Sequence, residues 1–256
     1  MMNLSYRIYH VWKRNLVSYK RYIVPTLLVS LGEPLFFLLA LGVGLGSYIG
    51  GFEGISYLKF LASGVIIISA LFSATFECLY GTFVRMVHEK LFSALIVTPV
   101  SCEDIVAGEI AWGMTRAGIS GVLMYVIALF LGVAPTNPII VIMLFLLVLS
   151  VGFVFSSFSM IVTSFAPHID FFSYYTTLFI TPMFFFSGIF FPLDKMPDVV
   201  KMASSFIPLS HAVIISRALF MEMVYPNLIW HFLALLIPGI IAFYIALIFM
   251  KRRIIK

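Results

Sequence analysis

Glu33, Glu77, Glu109 and Arg116 are ionisable side chains set in stretches otherwise dominated by aliphatic, aromatic and small residues. A charge at the centre of a bilayer costs roughly 2.5–3.5 kcal/mol on insertion scales, so such a group is either held by a partner or put to use. Glu33 is followed by Pro34, which removes a backbone hydrogen bond and favours a kink. Two roles stay open for this carboxyl. It can serve a substrate path, a hinge or a proton site, or it can be held by freed backbone or a neighbouring helix, protonated in place. Glu77 and Arg116 fall at comparable depths in successive apolar stretches and are expected to form an ion pair, with Glu109 on the same helical face as Arg116. His10, His88, His168, His211 and His231 lie in separate segments, and His211 has no ligand partner at metal-binding spacing. Cys78 and Cys102 give neither a disulfide framework nor a CxxC pattern. GxxxxGK[ST], HExxH and GxSxG do not occur. The expectation is therefore no catalytic, cofactor or metal site in this chain. Energy for any pumping must come from another chain or from an ion gradient.

The elements that position these residues are membrane helices. Of 256 residues, 62% are hydrophobic and 11% charged, with mean hydropathy +1.11. Soluble domains carry about 25% charged residues, so the composition reads as an all-α, polytopic membrane protein. No hydrophilic stretch is long enough for a second domain, and 1–256 reads as one. Six spans are expected near 24–48, 58–82, 109–133, 138–165, 170–191 and 228–250. Links rich in Gly or Pro separate them: Gly50–Gly54, Ala134–Pro138 and Pro167–Asp170. With both ends inside, the cytoplasmic side collects eleven Lys/Arg, among them five in Met1–Tyr22 and four in the last six residues, against four outside. That asymmetry fits the positive-inside rule and makes nucleic acid an unnecessary explanation for the net charge of +5. No signal peptide is expected at the start.

Three segments lie outside the spans. Met1–Tyr22 has helical periodicity, with Leu4, Ile8, Val11, Trp12, Leu16, Tyr19 and Tyr22 on one side and Arg7, Lys13, Arg14, Lys20 and Arg21 on the other. It reads as an interfacial helix in the cytoplasmic leaflet. The cytoplasmic loop at 85–108 is expected to form a short helix over Val87–Val97, stopped by Pro99. A capping box of Ser101 and Asp104 then starts the next helix. Leu91, Phe92 and Leu95 make an apolar ridge on this loop, suited to a membrane surface or a partner's groove. The outer region at 192–227 holds two half-length apolar pieces, Asp198–Ile207 and Ala212–Val224, separated by Pro208-Leu209-Ser210-His211. Both are too short to span and read as re-entrant or interfacial helices. Pro197 suits a first helical turn, and Asp198 can pair with Lys201.

The order FFFSGIFFPLDKMP, PLSHA and Arg217, with EKLFSALIVTPVS in the cytoplasmic loop, resembles ABC-2 type transport permeases. Among them it looks most like the permeases of nodulation-type lipo-oligosaccharide exporters and their polysaccharide- and drug-exporting relatives. The resemblance covers most of the chain. It implies a cell-membrane export subunit working as a homodimer or with a paired permease. It also implies two copies of a separate ATPase subunit that binds ATP and Mg, and a glycolipid, lipo-oligosaccharide, polysaccharide or drug as cargo. The loop residues His88, Glu89, Lys90, Leu91, Phe92, Leu95, Thr98 and Pro99 would then couple to the ATPase. Ser187, Gly188, Phe191, Pro192, Pro197, Pro208 and His211 would form an outer gate. The readings set against this one are a proton-coupled secondary transporter using Glu33, and a non-transporting membrane scaffold.

Overall fold

The computed structural model describes residues 4–49, 51–52, 55–222 and 227–255. Helix α1 (Ile8–Lys20) lies first, followed by α2 (Ile23–Phe37), which runs on through π-helical turns at Leu38–Leu45 into α3 (Gly46–Ile49). The helix passes through Pro34, and the widening comes one turn later, at Leu38. The link between the first two spans, partly outside the described residues, is an antiparallel pair of β1 (Gly51–Phe52) and β2 (Ile55–Ser56).

Helix α4 (Tyr57–Phe76) begins on a Ser56 cap whose hydroxyl accepts from the Lys59 amide. It continues through π-helical turns at Glu77–Gly81 and Val84–His88, so the apolar helix covers Tyr57–His88 and overruns the expected 58–82. A short α5 (Leu91–Ile96) leads to α6 (Cys102–Phe130), then α7 (Pro138–Phe165). The capping box at Ser101 and Asp104 is present in both directions. It starts α6 seven residues before the expected span at 109. Asn137 caps α7 and Pro138 occupies its first turn, as the Pro-Thr-Asn-Pro punctuation predicts.

The expected fifth span, 170–191, is α8 (Phe171–Tyr175), π-helical turns at Thr176–Ile180 and α9 (Thr181–Phe186). It stops at Ser187-Gly188, where Gly188 takes φ +80°. A Cβ there would also stand 2.7 Å from Leu193 Cγ, so space and backbone both favour glycine. Next come a 3₁₀ turn (Leu193–Lys195), α10 (Asp198–Ser204), α11 (Pro208–Met221) and α12 (Leu228–Ile254). The break between α10 and α11 falls at 205–207 and bends the chain by 93°. Pro208-Leu209-Ser210-His211 is therefore the first turn of α11 and not a separator, because proline at N1 loses no hydrogen bond. The end of the expected second piece, at 223–224, lies outside the described residues.

Among the described residues, four helices are long and apolar enough to cross a membrane: Tyr57–His88, α6, α7 and α12. The bent α10–α11 pair makes a fifth candidate if counted as one. The stretches 32–48 and 171–186 are apolar but shorter. Helix α4 is the centre, buried along most of its length against α6, α7 and α11. Its Ser63, Gly64, Ser69, Ala70, Ser73 and Ala74 are small enough for close helix approach. Several hydroxyls in this core bond to backbone, as in Ser216 Oγ donating to Ser63 O at 2.6 Å.

Candidate functional site

One end of the bundle carries the basic termini. There the buried charges form a network that joins three segments. Glu109 on α6, with no exposed side-chain surface, accepts from Arg14 Nη2 (2.9 Å) and Asn15 Nδ2 (3.0 Å) on α1. It also accepts from Thr82 Oγ1 (3.0 Å) and Arg85 Nη2 (2.6 Å) on the α4 extension. Arg85 reaches Glu77 as well, at 2.9 Å, and Arg116 Nε lies 3.4 Å from the other Glu77 oxygen. The Arg116 guanidinium sits over the Tyr19 ring at 4.6 Å. Burial pushes the Tyr19 phenol above its ordinary range, so the ring stays neutral beside that cation. The expected Glu77–Arg116 pair is thus present, inside a larger set. Arg14, read from periodicity as solvent-facing, turns inward to Glu109.

Helix α1 consequently packs along α6 instead of lying free in the interface. Val11, Asn15 and Tyr19 are buried, and Trp12 Nε1 donates to Thr115 Oγ1 at 2.8 Å. Gly108 makes the approach possible, since a Cβ there would fall 2.6 Å from Val11 Cβ. Further along, Ser5 N and Oγ both donate to Asp104 (2.7 and 3.0 Å), and Arg7 Nη1 donates to Pro99 O. At the far side of this end Lys251 Nζ pairs with Glu103 at 2.7 Å.

The loop between α4 and α6 differs from the single helix expected over Val87–Val97. Lys90 takes φ +51° and breaks it, leaving α5 to start at Leu91. Phe92 is 2% exposed and packs with Ile105, Ile110 and Met250, with Leu95 beside it. The ridge is therefore turned inward at Phe92, because α5 has its own core to cover. What α5 and its flanks leave exposed is Val87, His88, Glu89, Lys90, Ser93, Ala94, Ile96, Val97, Thr98 and Pro99, with Val97 at 87%. A cavity of ≈ 470 Å³ lies between Leu4–Arg7 and Thr98–Ser101.

The opposite end of the bundle holds the segment after α9. Ser187 Oγ donates to Phe184 O at 2.9 Å, and Gly188 O accepts from Arg217 Nη2 at 2.8 Å. Arg217 also stacks on Phe60, 3.7 Å from the ring centroid. Phe191 is exposed, and Pro197 caps α10, one residue before the turn expected to hold it. Asp198 and Lys201 pair at 3.4 Å, as their spacing predicts. His211 meets His231 Nδ1 to Nδ1 at 2.9 Å, twenty residues away in sequence.

A family model for the ABC-2 type transporter matches residues 6–221. The chain belongs to the ABC-2 type transporter family. Nodulation protein J of Sinorhizobium fredii is 36% identical over 246 residues, covering 96% of this chain and 93% of that protein. Nodulation protein J of Rhizobium leguminosarum bv. trifolii is 37% identical over the same length. The inner membrane transport permease YadH of Escherichia coli is 26% identical over 203 residues, about four fifths of each chain. This ABC-2 chain is accordingly a multi-pass membrane protein, and permeases of the family work with an ATP-binding subunit.

Within the ABC-2 chain, the fold gathers the loop residues expected to couple to an ATPase at the basic end and Ser187, Gly188, Pro192 and His211 at the other. Glu33 joins neither cluster. It is exposed on α2, in an open depression of ≈ 510 Å³ with Leu28, Gly32, Phe36, Phe37, Ala40 and Leu41. Sequence reasoning missed Arg14 and Arg85 as network members, Val97 as the exposed apolar tip, and His231. Only spacing on α6 pointed to Glu109. No local signal links His231 to His211.

Proposed function

We propose that the chain is the membrane permease subunit of an ATP-binding cassette exporter, moving an amphiphile such as a glycolipid, lipo-oligosaccharide, polysaccharide or drug. The observation that carries this reading is the full-length similarity to proteins named as nodulation protein J and, at lower identity, to one named as a transport permease. Six crossings, both termini cytoplasmic and an inner-membrane location complete it. The shorter helical stretches at 23–49 and 171–186 supply the two crossings beyond the four long helices. The second, 16 residues long, needs a locally thinner membrane, being about 24 Å at 1.5 Å per residue.

The ATPase, in two copies holding ATP and Mg, docks on the tip formed by His88–Lys90 and Val97–Pro99. Two features support this. The tip is exposed and sets apolar Val97 beside the charged Glu89 and Lys90, and α5 behind it is anchored in the core through Phe92. The network on Glu109 then ties the same end to α1, so a push on the loop reaches α1, α4 and α6 together. A second copy of the permease covers the α2 face. Val24, Leu28 and Phe36 are each more than 60% exposed there, and Glu33 beside them would otherwise face lipid at a cost of several kcal/mol. The path for cargo runs between the copies. At the outer end, the segment from Ser187 to His211 gates it.

Co-purification in mild detergent tests the docking face. The unaltered protein brings down an ATPase subunit, and Val97→Asp loses it while keeping its melting temperature. Retention of the ATPase by Val97→Asp places the docking face elsewhere.

A further inference from the structure

The outer end contains a cavity of ≈ 400 Å³ that shares Pro192 and His211 with the residues assigned to the gate. It is lined by Ile55 of β2, Phe60 of α4, the 3₁₀ turn with α10, one face of α11 from Ser210 to Met221, and the start of α12. Its charged and titratable lining, among the described residues, is Asp194, Lys201, His211, Arg217 and His231. Four of these five carry or can take a positive charge. Ser210 also lines it, 1% exposed, with its Oγ buried and without a hydrogen-bond partner. An unsatisfied buried hydroxyl costs about 1–3 kcal/mol, so it calls for a ligand or a water. Ser210, His211, Ile214, Arg217 and Met221 line it from one face of the 14-residue α11, where Pro208 has no N–H and the Ser210 amide already donates to Ile207 O at 3.0 Å.

The histidines fix their own proton arrangement. His211 Nε2 lies 3.0 Å from the Ser205 carbonyl oxygen, which only accepts, so His211 carries its proton on Nε2. Its Nδ1 is then the acceptor in the 2.9 Å contact, and His231 Nδ1 is the donor. One further proton fits the pair without breaking either bond, on His231 Nε2. A second proton would place hydrogen on both Nδ1 atoms and push the rings apart. Mild acid therefore adds one positive charge to the wall of an intact cavity. No third His, Cys, Asp or Glu among the described residues joins the pair to make a metal cage.

We propose that this cavity is an anion site, taking a phosphate, sulfate or carboxylate group, either on the head of an amphiphile or as a free ion. Ser210 Oγ donates to it, and Lys201, Arg217 and protonated His231 balance its charge. Asp194 opposes it in the lining, and Asp198 lies 3.4 Å from Lys201. The identity of the cargo class rests on the export reading, but anion binding does not.

The test uses the purified full-length protein without ATPase. Inorganic sulfate is titrated by its effect on melting temperature in detergent. In a second arm, nanodiscs of phosphatidylcholine with and without phosphatidylglycerol are compared by retained lipid in native mass spectrometry. Sulfate, whose charge is constant over the range, is expected to bind about threefold or more tighter at about pH 5 than at about pH 7, and His231→Gln abolishes that pH response. Lys201→Gln and Ser210→Ala each weaken binding by about tenfold, and both are small changes that keep the fold. Selective retention of phosphatidylglycerol, lost in the same variants, identifies the headgroup as the source. Sulfate binding without it identifies a free ion. No binding of either, or binding that the three variants leave unchanged, overturns the proposal. Loss of ATPase co-purification bears only on the export reading, so the two fail separately.

Discussion

Glu109 is the residue on which the basic end depends. It is a fully buried carboxylate with two arginines, an asparagine and a threonine donating to it. Removing one partner from a buried ion pair leaves an uncompensated charge and costs about 3–5 kcal/mol. Glu109→Ala is therefore expected to lower stability by about that much, read as a fall in melting temperature in detergent. Glu77→Ala should cost less, since Glu77 is partly exposed and contacts two arginines without the buried neutral donors. An equal or larger effect of Glu77→Ala would contradict this ranking. A charge swap between Glu77 and Arg116 is not a clean test of their pair. Arg85 also contacts Glu77, so an arginine at 77 would face Arg85 across about 3 Å and repel it.

At the scale of elements, α5 and α1 differ most from what periodicity predicts. Apolar spacing marks Leu91, Phe92 and Leu95 equally, but α5 is six residues long and folds back on α6 and α12. Phe92 thereby becomes core and Val97 becomes surface. Phe92→Asp should cut the melting temperature sharply by burying an unpaired charge, whereas Val97→Asp should not. Similar melting for the two variants would show that α5 has no core contact. For α1, Gly108→Val should push the helix off α6, with an overpacking cost of about 1–3 kcal/mol. Trp12 loses its Thr115 bond in that variant, so its fluorescence should shift. An unchanged Trp12 spectrum in folded Gly108→Val would count against the packing of α1 on α6.

For the whole molecule, the uncovered α2 face and the number of crossings are the open geometric points. If a second copy covers that face, Phe36→Cys should form a disulfide between copies in native membranes, while Phe130→Cys, also exposed but on α6, should not. The reverse pattern would place the dimer contact elsewhere. Cysteine labelling counts the crossings. Six crossings with inner termini expose Thr136→Cys and Met202→Cys to an impermeant reagent from outside and hide His168→Cys. Protection of Met202→Cys together with His168→Cys, with Thr136→Cys still labelled, would mean that the helix at 171–186 does not cross.

The membrane class, the positions of the long helices, the α6 capping box, the Asp198–Lys201 pair and the ABC-2 resemblance were legible in the sequence, because each rests on composition, on a short motif or on spacing within one helix. The fourth span at 138–165 coincides with α7, since Asn137, Pro138 and the loop proline act locally. The network around Glu109, the inward turn of Phe92 and Arg14, and the His211–His231 contact were decided only by tertiary structure. Each joins residues that neither share an element nor follow a spacing rule: Asn15 lies 94 residues from Glu109, and His231 lies one helix beyond His211. Periodicity gives a helix an apolar face and a polar face. Which of them meets another helix depends on partners that only the packed bundle brings near, and a buried arginine is tolerated there only because a carboxylate from another segment meets it.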